Sequence, residues 1–170
     1  MSFSLIPDYS FGKLTDIDVE ILKRLGIKLL LLDLDNTVSP YGEKKPSDEM
    51  KSWFDGMKNE GITLFIVSNT RKPRAGIFAR ELGVDYIIRA KKPFGKGVQR
   101  ALAVTGFSEG ETALAGDQIF TDTLAANLAN VTSFLVEPIL LNYPWLTLRY
   151  WVEKPFRMMA KNDLRRQRHE

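Results

Sequence analysis

Short aliphatic runs alternate along this chain with stretches of helical period, and Gly or Pro stands at most of the joints. Residues 16–25 read as a helix, with Ile17, Ile21, Leu22 and Leu25 on one face and Gly26 closing it. The segment from Lys28 to Asp33 follows, carrying Leu29 to Leu32; an unbroken aliphatic run this short suits a strand buried on both faces. Pro46-Ser47 opens a second helix, in which Met50, Trp53, Phe54 and Met57 keep one face until Gly61. Thr63 to Val67 is a second buried strand. A third helix starts at Pro73, turns Ala75, Phe78, Ala79 and Leu82 inward, and ends at Gly83. Val84 to Ile88 is a third strand, and Val98, Ala101 and Leu102 mark a fourth helix. Thr112 to Ala115 is a fourth strand, Leu124 and Leu128 lie on a fifth helix, and Ser133 to Val136 is the final strand.

This alternation predicts βαβ units and an α/β fold: a three-layer, doubly wound parallel sheet of Rossmann-like form. Right-handed crossovers would place helices on both faces. The 170 residues fit one domain, with 1–142 as the core and 143–170 as a basic, aromatic-rich extension.

Composition narrows the chemistry. The chain has no Cys, which removes disulfides, thiol nucleophiles and Cys-ligated zinc together. Its N-terminus lacks a basic segment followed by a long apolar one, and the leucine run is too short to span a bilayer. A soluble, cytoplasmic protein is expected, with contact at a membrane surface left open. The net charge of +3 is uneven: from Arg149 onward there are seven Lys/Arg and three Asp/Glu, so the basic excess belongs to the tail.

In open α/β sheets, ligands bind beyond the carboxyl ends of the strands. Asp33-Leu34-Asp35-Asn36-Thr37 follows the first predicted strand, Ser68-Asn69-Thr70 the second, Lys91-Lys92-Pro93 the third, and Gly116-Asp117-Gln118 the fourth, with Asp122 five residues past Asp117. Each motif alone is ordinary turn or cap chemistry. Their order at four successive strand ends is not. Asp33 and Asp35 share one side of an extended segment, and beside Asp117 they would repel unless a cation sat among them. Oxygen ligands without His or Cys favour Mg²⁺. A carboxylate is a competent covalent nucleophile towards phosphorus, and a second can act as acid and base. Ser68 and Lys92 are suited to holding phosphoryl oxygens.

These motifs resemble, in order, the four signatures of the haloacid dehalogenase superfamily of phosphotransferases, across residues 5–138. The resemblance implies that Asp33 is the phosphoryl-accepting nucleophile and a metal ligand. It implies that Asp35 is the acid/base and lends the metal its backbone carbonyl. Ser68, Asn69 and Lys92 would bind phosphate, Asp117 would ligate Mg²⁺, and Asp122 would support the metal site. Lys91 is the weaker third-motif lysine, because the family's lysine directly precedes the Pro. Asp at position 35 favours phosphatase over dehalogenase chemistry.

From Asp33 to Ser68 there are 35 residues and from Ser68 to Lys92 there are 24, so neither interval has room for a cap domain. An uncapped site cannot exclude water around a small metabolite by itself, which points to a large or surface-held substrate or to a lid supplied by a partner. Within the superfamily the chain is most similar to the capless YqeG-type branch (subfamily IIIA), through Leu5-Ile6-Pro7-Asp8, residues 26–37 and residues 116–122. That branch is related to phosphatases of phosphatidylglycerophosphate, which makes this lipid the leading substrate expectation. A general phosphomonoesterase acting on sugar, nucleotide or protein phosphates is the first alternative. A non-catalytic phosphoryl-accepting module is the second.

Lys44, Lys45, Arg71, Lys72, Arg74, Lys91 and Lys96 are placed to form a cationic rim that suits an anionic substrate. Trp145, Leu148, Val152, Phe156 and Met159 fall near one helical face, with basic residues elsewhere. Such a face suits a membrane interface, packing on the core or a dimer seam. Pro155 is expected to interrupt the helix. His169 is read as solvated, and no nucleic-acid partner is expected.

Overall fold

The computed structural model describes residues 3–71 and 73–165. Lys72 and His169 therefore lie outside the described residues. Among the described residues, seven strands, all parallel, form one sheet: β1 (Tyr9–Phe11), β2 (Leu29–Leu32), β3 (Thr63–Val67), β4 (Asp85–Ile87), β5 (Thr112–Gly116), β6 (Thr132–Val136) and β7 (Asn162–Asp163). Their order across the sheet is β4-β3-β2-β5-β6-β1-β7. Six helices accompany them: α1 (Val19–Arg24), α2 (Asp48–Asn59), α3 (Arg74–Leu82), α4 (Lys96–Thr105), α5 (Leu124–Leu128) and α6 (Pro144–Met158).

The strand alternation decides the layers. Leu30 and Leu32 join a core with Leu22, Phe54 and Phe78, so α1, α2 and α3 cover one face. Leu29 and Leu31 join Val98, Ala101 and Ala125 on the other, under α4 and α5. All four leucines of β2 are fully buried, and burying each contributes roughly 1.5–3 kcal/mol. The expected α/β, doubly wound architecture is the one observed. Between β2 and β3 the only helix is α2, and between β3 and β4 it is α3; no further domain intervenes among the described residues.

Several boundaries differ from expectation. The first helix begins at Val19 rather than Asp16, because Asp18 accepts a hydrogen bond from the Ile21 amide (2.8 Å) and caps it there. A separate 3₁₀ turn occupies Leu14–Asp16. The strand expected over residues 84–88 is shorter, Asp85–Ile87. The sheet also does not end at Val136: β7 pairs with β1, and neither strand has enough residues to show a period. Helix α6 runs through Pro155 unbroken. That proline is exposed and near the helix end, where solvent can take the carbonyl its ring leaves unpartnered. Among the described residues, no helix is long and apolar enough to cross a membrane.

Candidate active site

The strand order reverses between β2 and β5, which leave in opposite directions from the sheet centre. Asp33 follows β2 and Asp117 follows β5, so the two carboxylates straddle the switch point where open sheets bind ligands. Asp33, Asp117 and Asp122 are all buried, and one carboxylate oxygen from each lies within 4.8 Å of the others. Lys92 lies between two of them: its Nζ donates to Asp33 Oδ1 at 2.5 Å and to Asp122 Oδ1 at 2.6 Å.

Packing brings Asp122 inward. It stands on a π-helical turn, Ile119–Thr123, and accepts the Gln118 amide at 3.2 Å. Its carboxylate rests on Gly116, where a Cβ would come within 2.3 Å of Asp122 Cγ. Only glycine leaves room for it.

Electrostatics within the cluster oppose ionisation. Burial pushes the Asp33 carboxyl up to about 7, with Lys92 pulling against it and Asp122 adding to it. Asp117 is raised well above the usual carboxylate range, by burial first and then by the charges of Asp122 and Asp33. The Lys92 ammonium is driven the other way: burial opposes its charge, but Asp122 and Asp33 outweigh that and raise its pKa. An uncompensated buried charge costs several kcal/mol, as much as a buried leucine or two contributes. Three buried carboxylates with one lysine among them are therefore short of positive charge. An all-oxygen, buried and anionic set of this kind fits a small, hard divalent cation.

The remaining sequence-predicted residues fall around this cluster in different ways. Asp35 is half-buried and faces Arg74, which makes a salt bridge to its Oδ1. Ser68 is buried, and its Oγ accepts the Thr70 amide at 3.2 Å. Asn69 grips the backbone of Lys92, accepting its amide at 2.9 Å and donating to its carbonyl at 3.1 Å. The peptide bond after Lys92 is cis. Lys44, Lys45, Arg71, Lys91 and Lys96 are exposed as a rim would require. Arg74 is not part of that rim, because it turns inward to Asp35 and to the carbonyls of Pro40 and Glu43.

Other residues, to which the sequence assigns no role there, also reach the site. Thr37 donates to Asp117 Oδ1 at 3.3 Å. Tyr41 lies close enough that burial and then the charges of Asp117, Asp33 and Asp35 push its hydroxyl up to about 12. From the C-terminal segment, Arg149 brings Nη2 to 4.0 Å from Asp117 Oδ2, and Arg157 donates to the Asp117 carbonyl. Only tertiary packing brings these arginines, more than thirty residues downstream, to the end of β5.

Comparison with known proteins agrees with this geometry. A family model described as haloacid dehalogenase-like hydrolase matches residues 12–130. Probable phosphatase YqeG of Bacillus subtilis is 33% identical over 134 residues, covering 79% of this chain and 78% of that protein. Phosphatidylglycerophosphate phosphatase 1, chloroplastic/mitochondrial, of Arabidopsis thaliana is 28% identical over 148 residues, covering 79% of this chain but 41% of that longer protein. In fold, the chain is similar to the cobalt-bound deoxy-D-mannose-octulosonate 8-phosphate phosphatase of Haemophilus influenzae. There the TM-score is 0.58 at 14% identity, over 84% of this chain and 80% of that one. This chain belongs to the haloacid dehalogenase-like hydrolases, in a branch of phosphatases.

Proposed function

We propose that this chain is a magnesium-dependent phosphatase that hydrolyses a phosphomonoester through an aspartyl-phosphate formed on Asp33. The observation that carries the reading is the buried trio Asp33, Asp117 and Asp122, with Lys92 between Asp33 and Asp122. The Asp33 and Asp117 side chains, with the Asp35 backbone carbonyl, would hold the magnesium ion, and Asp122 would support that site. When bound, the ion offsets the carboxylate charge and polarises the phosphoryl oxygens.

The protein's own groups then have separate tasks. An Asp33 oxygen attacks phosphorus as the bond to the ester oxygen breaks, and Asp35, as general acid, gives a proton to the departing alkoxide. Asp35, now a carboxylate, takes a proton from water; the water oxygen attacks phosphorus, the bond to Asp33 breaks, and inorganic phosphate leaves. Lys92 and Ser68 bind the phosphoryl oxygens and oppose their developing charge. Asn69, with both polar atoms of its side chain on the Lys92 backbone, holds that lysine in place.

The substrate we propose is an exposed or membrane-held phosphomonoester such as phosphatidylglycerophosphate. Two observations support it: among the described residues no domain intervenes between β2 and β4 to close over a small molecule, and the Arabidopsis relative bears that lipid in its name. The test is magnesium-dependent phosphate release from phosphatidylglycerophosphate beside soluble sugar and nucleotide phosphates. Asp33→Asn should reduce release to background while the protein stays folded; full activity would overturn the covalent step. A rate that survives excess chelator would remove magnesium. Faster turnover of the soluble esters would remove the lipid.

A further inference from the structure

Helix α6 is built inside out. Its core-facing side is Leu146, Glu153 and Arg157, none more than 2% exposed. Trp145, Leu148, Trp151, Val152 and Met158, by contrast, are 53–71% exposed. A surface helix ordinarily buries its apolar stripe. Here the polar stripe is spent inside, where Arg157 meets the Asp117 carbonyl and Glu153 accepts the Phe120 amide at 3.2 Å. The apolar stripe is left facing out. Of the fifteen exposed large hydrophobic residues among those described, ten lie within residues 139–159. A concentration of this kind marks an interaction surface.

Charge chooses among the occupants. Between Pro138 and Met159 the only carboxylate is Glu153, which is buried. The cations of that segment that reach solvent are Arg149 and Lys154, the latter 4.3 Å over the Trp151 ring. A second copy of this chain on the same face would set these cations against a surface with no exposed acid to answer them. Aromatic and aliphatic side chains flanked by cations, without exposed acids, match the anionic interface of a bilayer.

The patch is continuous with the mouth of the carboxylate site. Tyr41 meets Tyr143 edge to face at 6.5 Å, and Tyr143 stacks on Trp145 at 4.4 Å. Asn36, next to Asp35, donates to the Leu140 carbonyl at 2.6 Å and accepts its amide at 2.9 Å. We propose that the outward face of α6, with the loop at residues 139–141, docks on an anionic lipid bilayer and holds the site at the level of the headgroups. The docking stands on the surface itself; only what the site would meet there rests on the phosphatase reading.

The experiment is co-sedimentation of the full chain with vesicles of phosphatidylcholine alone or mixed equally with phosphatidylglycerol. The wild type should bind the mixed vesicles, less so as salt rises. Leu148→Ser combined with Trp151→Ser should weaken binding at least about ten-fold. Lys154→Glu should weaken it roughly five-fold and only for anionic vesicles. Both variants should match the wild type in melting temperature and in magnesium-dependent turnover of p-nitrophenyl phosphate. The proposal is overturned if the wild type ignores anionic vesicles, if the double variant binds them equally, or if the face proves to be a dimer seam that the double substitution splits without any vesicle binding. Vesicle binding without phosphatase turnover would sustain the docking and overturn the catalytic reading instead.

Discussion

Arg157, in the last turn of α6, donates a hydrogen bond from its guanidinium to the backbone carbonyl of Asp117 at the end of β5. The same guanidinium lies 3.5 Å from Glu153 and 3.5 Å from Glu137, and packs on the Tyr150 ring at 4.7 Å. The far end of the chain thus braces the strand end that carries a candidate metal ligand. The position has little slack, because Arg157 is 2% exposed and its Nε finds no partner.

Arg157→Ala should therefore destabilise the protein by about 3–5 kcal/mol, since it leaves Glu153 buried and uncompensated. Arg157→Ala combined with Glu153→Gln should recover part of that loss. Urea denaturation of the three proteins measures it. Equal stability of the single and double variants would mean that the pair is not coupled.

Arg74 spans Asp35 and the carbonyls of Pro40 and Glu43, so it positions the proposed acid and the loop behind it. Arg74→Ala should lower kcat by about 10²-fold on an alkyl phosphate, where the departing oxygen needs a proton. The loss should be much smaller on p-nitrophenyl phosphate, whose leaving group needs little help. Arg74→Lys should recover little, because an ammonium cannot span three acceptors in a fixed fork. Equal losses on both substrates would indicate a merely structural role.

The buried carboxylates set a pH dependence with a definite sign. Asp33 and Asp117 have folded-state pKa values above the unfolded value of about 3.9. Stability linked to them is present below that value and is lost as pH rises through their folded-state values, about 7 for Asp33. In chelator, the wild type should lose stability relative to Asp117→Asn as pH climbs above about 4. Magnesium should close the gap by stabilising the wild type alone. Melting temperatures across this window decide it, and a gap that stays constant with pH would reject the assignment.

Gly116→Ala tests the packing of Asp122. A Cβ there would lie 2.3 Å from Asp122 Cγ, so the π-helical turn must move. We expect a loss of about 1–3 kcal/mol together with weaker magnesium dependence of turnover. A variant with wild-type stability and kinetics would show that the turn yields freely.

Local pattern alone carried the central strands and the chemistry at their ends. Leu29 to Leu32 and Leu64 to Val67 are buried, so the two faces of each strand together leave a short continuous apolar run. Asp33, Ser68 and Asp117 were legible for the same reason, since each stands just past such a run; Lys92 follows only the short, largely exposed β4. Strands β1 and β7 were not, because three and two residues carry no period; pairing with β6 and with each other makes them strands. Nor did any local signal show that Arg74 would turn to Asp35, or that Lys92 would lie between Asp33 and Asp122. The sharpest case is α6. Its residues announce an amphipathic helix, and a helix by itself is indifferent to which stripe faces the core. That was decided by the tertiary structure, where the Asp117 carbonyl and the Phe120 amide receive Arg157 and Glu153, and the aromatic stripe is turned outward.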